Sequence, residues 1–159
     1  MKKVIFLVIC YLTTVVTLSV SAAAMNPGNQ NTKSAFALSA RKASGELSSL
    51  LPGKTEVVEG TTAHQFNKIL CEARALAAKV QKAGNRMTDS QYQSFQRELR
   101  VIESRLDQLQ ISTATANTPS QSDCFNSCNK QYKGWDGSNG WNRFWCKASC
   151  FRISVYANS

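Results

Sequence analysis

The residues best placed to do chemistry are four of the six cysteines, set as two CxxxC pairs in CFNSCNKQYKGWDGSNGWNRFWCKASC, residues 124 to 150. Such a set can hold a metal, shuttle electrons or cross-link the chain. A structural zinc site of four thiolates favours CxxC knuckles, and a thioredoxin-like redox site uses CxxC beside a βαβ unit. Neither spacing is present, so disulfides are expected, with no metal and no cofactor. If each CxxxC lies on a helix, its sulfurs share one face a turn apart. In an antiparallel helical hairpin the numbers of bonded partners have a constant sum. Cys124 with Cys150 and Cys128 with Cys146 meet that condition and make two stacked rungs. Joining Cys124 to Cys146 and Cys128 to Cys150 displaces the rungs in opposite senses, and pairing within each CxxxC leaves the segments unjoined. The spacing therefore predicts the nested pairing.

Disulfides need an oxidising compartment, and the first residues agree. MKKVIFLVICYLTTVVTLSVSAAA has two lysines, an apolar run diluted by Thr13, Thr14, Thr17 and Ser19, and small residues at Ala22 to Ala24. This is the pattern of a bacterial-type signal peptide over 1–24, cleaved after Ala24 and taking Cys10 with it. An uncleaved membrane anchor is the competing reading. The protein is expected to be exported, periplasmic or secreted.

The cysteines need helices to hold them. Residues 120–159 are expected to form a disulfide-stapled hairpin with helices near 121–133 and 141–156. Ser120 and Asp123 stand at capping-box spacing after Pro119, and Gly134, Gly137, Asn139 and Gly140 supply the turn. About 40 residues bury too little apolar surface to fold without cross-links, and closing the inner loop of about 19 residues contributes roughly 3 kcal/mol. CxxxC, a spacer, then CxxxC resembles the α-hairpinins, small plant peptides that include protease inhibitors and antimicrobial peptides. The likeness covers about 27 residues and rests on cysteine spacing, with a spacer of 17 residues that is long for that pattern. It implies a helical hairpin and, as an alternative function, a secreted membrane-active or protease-inhibitory effector.

Upstream, residues 34–111 read as a coiled-coil-like bundle. Thr62, Gln65 and Phe66 recur in kind as Thr88, Gln91 and Tyr92: a threonine cap, a glutamine reaching back and an aromatic one residue on, with Met87 as a staple for Tyr92. Phe66, Leu70, Ala73, Ala77 and Val80 alternate steps of three and four, as do Tyr92, Phe95, Leu99, Ile102, Leu106 and Leu109. Gly84 and Asn85 end the first of these helices. One hairpin cannot cover both stripes, and Phe36, Ala40, Ala43, Leu47 and Leu50 supply a third before Pro52 and Gly53 stop it. A three-helix bundle is expected, with homo-oligomerisation as the alternative cover. Residues 25–33 are expected to be disordered and 112–119 to be a linker. The fold class is all-α: a small coiled-coil-like helical bundle plus a C-terminal disulfide-stapled helical hairpin.

Three features bear on function. Cys71 is the odd cysteine of the mature chain. It lies away from the core stripe on a face shared with His64, Ala75, Ala78 and Lys82, where it is expected to be an inert thiol packed against a neighbouring helix or else an intermolecular disulfide. Cys71 and His64 are about two turns apart, out of reach for a nucleophile and its base. With no GxGxxG, GxxxxGK[ST] or GxSxG motif and scattered carboxylates, the chain is not expected to be an enzyme.

The C-terminal module interleaves cations and aromatics, giving Trp135, Trp141, Lys130, Lys133, Arg143 and Lys147 as candidate binding residues. Trp135 and Trp141 flank the turn and are expected to be exposed, whereas Trp145 beside Cys146 is expected to be buried. Aromatic core packing is the competing role for the rings. The third feature is charge. The formal charge is +9, or +7 without Lys2 and Lys3, which draws the protein to anionic partners, and export disfavours nucleic acid among them. The sequence thus points to an exported, non-enzymatic binding protein whose partner is an envelope protein or an anionic surface, with peripheral membrane contact included.

Overall fold

A computed structural model describes residues 27–50, 60–113 and 119–156. The signal-peptide expectation over 1–24 lies outside those residues, as does most of the expected 112–119 linker. Among the described residues there are five α-helices and no strand: α1 (Pro27–Leu50), α2 (Thr62–Ala83), α3 (Asp89–Thr113), α4 (Pro119–Gln131) and α5 (Asn139–Tyr156). A short 3-10 turn, Gly84–Arg86, joins α2 to α3. No described helix is long and apolar enough to cross a membrane. The expectation of disorder over 25–33 fails from Pro27 onward, where α1 already runs. Lys33 is buried and its ammonium lies 2.6 Å from the Asp89 carboxylate, which ties the start of α1 to the start of α3.

The helix starts follow local chemistry. Thr88 caps α3 with the reciprocal box expected: the Gln91 N–H donates to Thr88 Oγ1 at 3.2 Å, and the Thr88 N–H donates to Gln91 Oε1 at 2.9 Å. For α2 the cap is Thr61, one residue earlier than expected, its hydroxyl accepting from the His64 N–H at 3.2 Å. Two adjacent threonines offer the same hydroxyl, and spacing alone does not choose between them. At the other end of α2 the Gly84 N–H closes onto the Val80 carbonyl.

All the apolar stripes point inward. Phe36, Ala40, Leu47, Phe66, Leu70, Ala73, Ala77, Val80, Leu99 and Leu106 have no exposed surface. The third stripe needs a further helix to cover it, and α5 is that helix. It packs on α1 and α3, touches α2 and carries α4 on its outer side. Trp141, Phe144, Ala148 and Phe151, at steps of three, four and three, are all fully buried and belong to the same core as Phe36 and Phe66. Phe36 meets Tyr92 edge-on at 5.2 Å and Trp141 at 5.9 Å, while Phe66 meets Phe151 at 4.8 Å. The bundle is therefore α1, α2, α3 and α5, with α4 outside it. The expected 34–111 bundle and 120–159 hairpin share one core: the inner helix of the hairpin is the fourth wall of the bundle, because its aromatics are the apolar surface that a three-helix arrangement lacks.

The hairpin itself has the expected form. Cys124 is bonded to Cys150 and Cys128 to Cys146, with Cα atoms 6.0 and 5.8 Å apart. The two bridges join α4 to α5, and α4 makes most of its described contacts there. Without a broad apolar face toward the bundle, α4 depends on its sulfurs and on Phe125 for attachment.

Candidate functional site

The turn between α4 and α5 was expected to display a binding surface, and its geometry is that of a clasp. Arg143, on the first turns of α5, donates from Nη1 to the carbonyls of Tyr132 at 3.0 Å and Gly134 at 2.9 Å. Gln96 of α3 donates to the Trp135 carbonyl at 2.8 Å, and the Gly137 N–H donates to the Tyr92 hydroxyl at 3.2 Å. Gly137 has φ +54°, a conformation that favours glycine, although a Cβ there would meet Ala35 of α1 at no closer than 3.5 Å. Gly140 serves for a different reason: a Cβ there would come within 3.0 Å of the Trp135 ring and 3.3 Å of Leu99. The missing side chain is what lets Trp135 lie between α3 and α5.

Beneath the clasp is a buried ionic cluster. Glu103, only 3 % exposed, accepts from Arg143 Nε at 2.8 Å, Arg143 Nη2 at 3.3 Å and Lys147 Nζ at 2.7 Å. Lys147 also donates to both Asp107 oxygens at 2.8 and 3.0 Å. The pairs Glu103–Arg143 and Asp107–Lys147 share a separation of 40 residues, which sets α3 and α5 parallel. Charges this deep are tolerated because each one is paired and further hydrogen-bonded. Burial pushes the Tyr92 hydroxyl above its ordinary pKa of 10.0 and the Asp136 charge adds to that, opposed by the Gly137 N–H.

The predicted site residues thus divide. Trp141 is fully buried, and Arg143 and Lys147 are consumed by the Glu103 cluster, which corrects the expectation that all three face a partner. Trp145, expected to be buried, is only partly so. Trp135 is half-buried, with the Arg143 guanidinium carbon 4.1 Å and that of Arg100 4.9 Å from its ring centroid. Lys130 and Lys133 are exposed. The partner that sequence reasoning missed is the acidic flank of α3: Glu103 and Asp107 stand four apart, matching Arg143 and Lys147, and that shared spacing is the signal that could have paired the helices.

Cys71 is exposed, so the expectation of a thiol packed against a neighbouring helix fails, while its availability to another thiol remains. His64 lies on the same face about two turns earlier, in the first turn of the same helix, and makes no described contact with it. Three of the bridge sulfurs lie within 4.8 Å of one another, the one such group of potential metal ligands among the described residues. Each is already held in a disulfide.

The remaining surface is strongly one-signed. Apart from Asp123 and Asp136, every described carboxylate is in an ion pair: Glu46, Glu72, Asp89, Glu98, Glu103 and Asp107. Arg41, Lys68, Arg74, Lys82, Arg86, Arg97, Lys130, Lys133 and Arg152 are exposed and take part in none of those pairs. No protein-family model, curated protein or solved structure matches the chain.

Proposed function

We propose that the protein is an exported, non-enzymatic binding protein that docks on an anionic partner, an envelope protein or an anionic surface. The observation that carries this reading is the charge balance just described: most of the described carboxylates are matched by a cation, and nine further cations stand exposed outside those pairs. Such a surface attracts polyanions over roughly a Debye length, about 10 Å at 0.1 M salt, and loses that attraction as salt rises. Export is supported by two disulfides in a chain whose first residues have signal-peptide character. Arg100 beside half-buried Trp135, together with exposed Lys130 and Lys133, is what survives of the aromatic and cationic site, and at Trp135 a contact could combine charge with ring stacking. The alternative of a membrane-active or inhibitory hairpin peptide draws no support from burial, since the apolar face of α5 is committed to the bundle.

The test is retention of the folded chain on immobilised polyglutamate and on phosphatidylglycerol vesicles, with phosphatidylcholine vesicles as the neutral control, across a salt series. Binding to at least one anionic matrix, weakening steadily with salt and absent from the neutral vesicles, is expected. Absence of binding to both anionic matrices at low salt, or binding indifferent to salt, overturns the reading.

A further inference from the structure

Between α2 and α3, at the end of the bundle away from the clasp, the described residues line an open groove of about 380 Å³. Its floor is apolar, made by Ile69 and Leu109, both nearly buried. Its sides are Gln65 and Lys68 from α2 and Arg105 and Gln108 from α3, and no carboxylate lines it. Lys68 has no ion pair among the described residues. Arg105 gives one Nη to Glu72, and a guanidinium has five N–H donors, so others remain.

The geometry points to this groove as the docking site for an acidic peptide segment of a partner protein. The inference rests on the anionic partner proposed above and narrows its class. Charge sets the sign: two cations, of which only Arg105 has a carboxylate partner among the described residues, select an anion and disfavour a second copy of this basic chain. The uncharged donors and acceptors set the class. Among the described residues the Gln65 and Gln108 side chains have no hydrogen-bond partner, and each offers an amide that both donates and accepts. Ser112, at the end of the groove, donates its hydroxyl proton to the Leu109 carbonyl at 2.8 Å, so toward a ligand it can only accept. Phosphate and free carboxylate groups have no N–H to give these acceptors. A peptide backbone supplies N–H and C=O together, its acidic side chain reaches the cations, and a neighbouring small apolar side chain covers Ile69 and Leu109.

The experiment titrates the full chain, isotopically labelled, with a blocked peptide of alternating glutamate and alanine and follows backbone amide shifts by NMR. Blocked glutamine–alanine and lysine–alanine peptides are the controls. Saturable shifts centred on Gln65, Lys68, Arg105 and Gln108 are expected with the glutamate peptide alone. Lys68→Glu, at an exposed position, should weaken that binding at least about fivefold. The double variant Gln65→Ala with Gln108→Ala should weaken it as well. No saturation, shifts spread evenly over all exposed cations, or indifference to Lys68→Glu overturns the groove assignment. If those results come with salt-sensitive retention on polyglutamate, the groove inference fails and the broader proposal stands. If retention on both polyglutamate and phosphatidylglycerol vesicles is lost as well, both fail.

Discussion

Helix α3 carries two lysine–glutamate pairs of the same length on its two flanks. Lys147 Nζ is 2.7 Å from Glu103, and Lys79 Nζ is 2.7 Å from Glu98. The first pair has side chains 3 % and 4 % exposed, the second 57 % and 41 %. Distance does not separate them. What does is the clasp: on the α5 flank, Trp135 and the turn close over the charges and exclude water, whereas on the α2 flank no further helix covers them. The same chemical pair is an internal fastener on one side and part of a solvated surface on the other. Charge on a helix therefore carries functional information only after one knows which helix covers it.

The largest break in this contrast should come from Glu103→Gln. It leaves Arg143 and Lys147 buried beside a neutral amide, and losing one partner of a buried pair costs about 3–5 kcal/mol. Asp107 still holds Lys147 and two carbonyls still hold Arg143, so the lower end of that range is expected, read as a shift in urea midpoint with unchanged m-value. A loss below about 1 kcal/mol, the range of an exposed pair, would mean that water reaches the cluster and that the two flanks are alike.

The same contrast explains what the sequence disclosed. Stripes such as Phe66 to Val80 and Tyr92 to Leu109 are periodic, and the period alone says which face is buried; so does the spacing that nests the four cysteines. The Thr88 box was legible because its two hydrogen bonds are local. The role of α5 was not. Its aromatics at 141, 144, 148 and 151 have helical period, but nothing in 120–159 says whether that face meets a partner protein or the bundle upstream. Trp141 and Arg143 were accordingly read as surface when they are core and clasp. Only matching two distant segments, Glu103 and Asp107 against Arg143 and Lys147, brings those positions together. The groove was equally hidden, since Lys68 and Arg105 are ordinary exposed cations until α2 and α3 are set side by side.

Tyr92→Phe sharpens the comparison at the edge of the clasp. It removes the acceptor of the Gly137 N–H and of Gln96, and leaving a buried donor unpaired costs roughly 1–3 kcal/mol. The variant also has a pH signature. In the native protein the Tyr92 pKa is raised above 10.0, burial being the main cause, so the neutral hydroxyl is favoured by folding. That contribution is complete below the unfolded value near 10 and is lost as pH rises through the folded pKa. Wild-type stability should therefore fall across alkaline pH in part through Tyr92, and the variant should lose that part. Parallel alkaline unfolding curves for the two proteins would remove Tyr92 from the account.

The smallest effect is expected from Lys79→Ala on the open flank, about 0–1 kcal/mol. The reason is what remains behind. Glu98 is 41 % exposed, so water takes over the bond that Lys79 made, and no buried charge is stranded as it is in Glu103→Gln. Half of the lysine stem is already in solvent, so little apolar contact is lost with it. The attraction itself acts across water, which weakens it and lets salt screen it further. Raising the salt concentration should therefore shrink the gap between wild type and Lys79→Ala while leaving the Glu103→Gln gap nearly unchanged. If the Lys79→Ala gap proves as large and as indifferent to salt as the Glu103→Gln gap, burial is not what distinguishes the flanks, and the division between fastener and binding surface loses its physical basis.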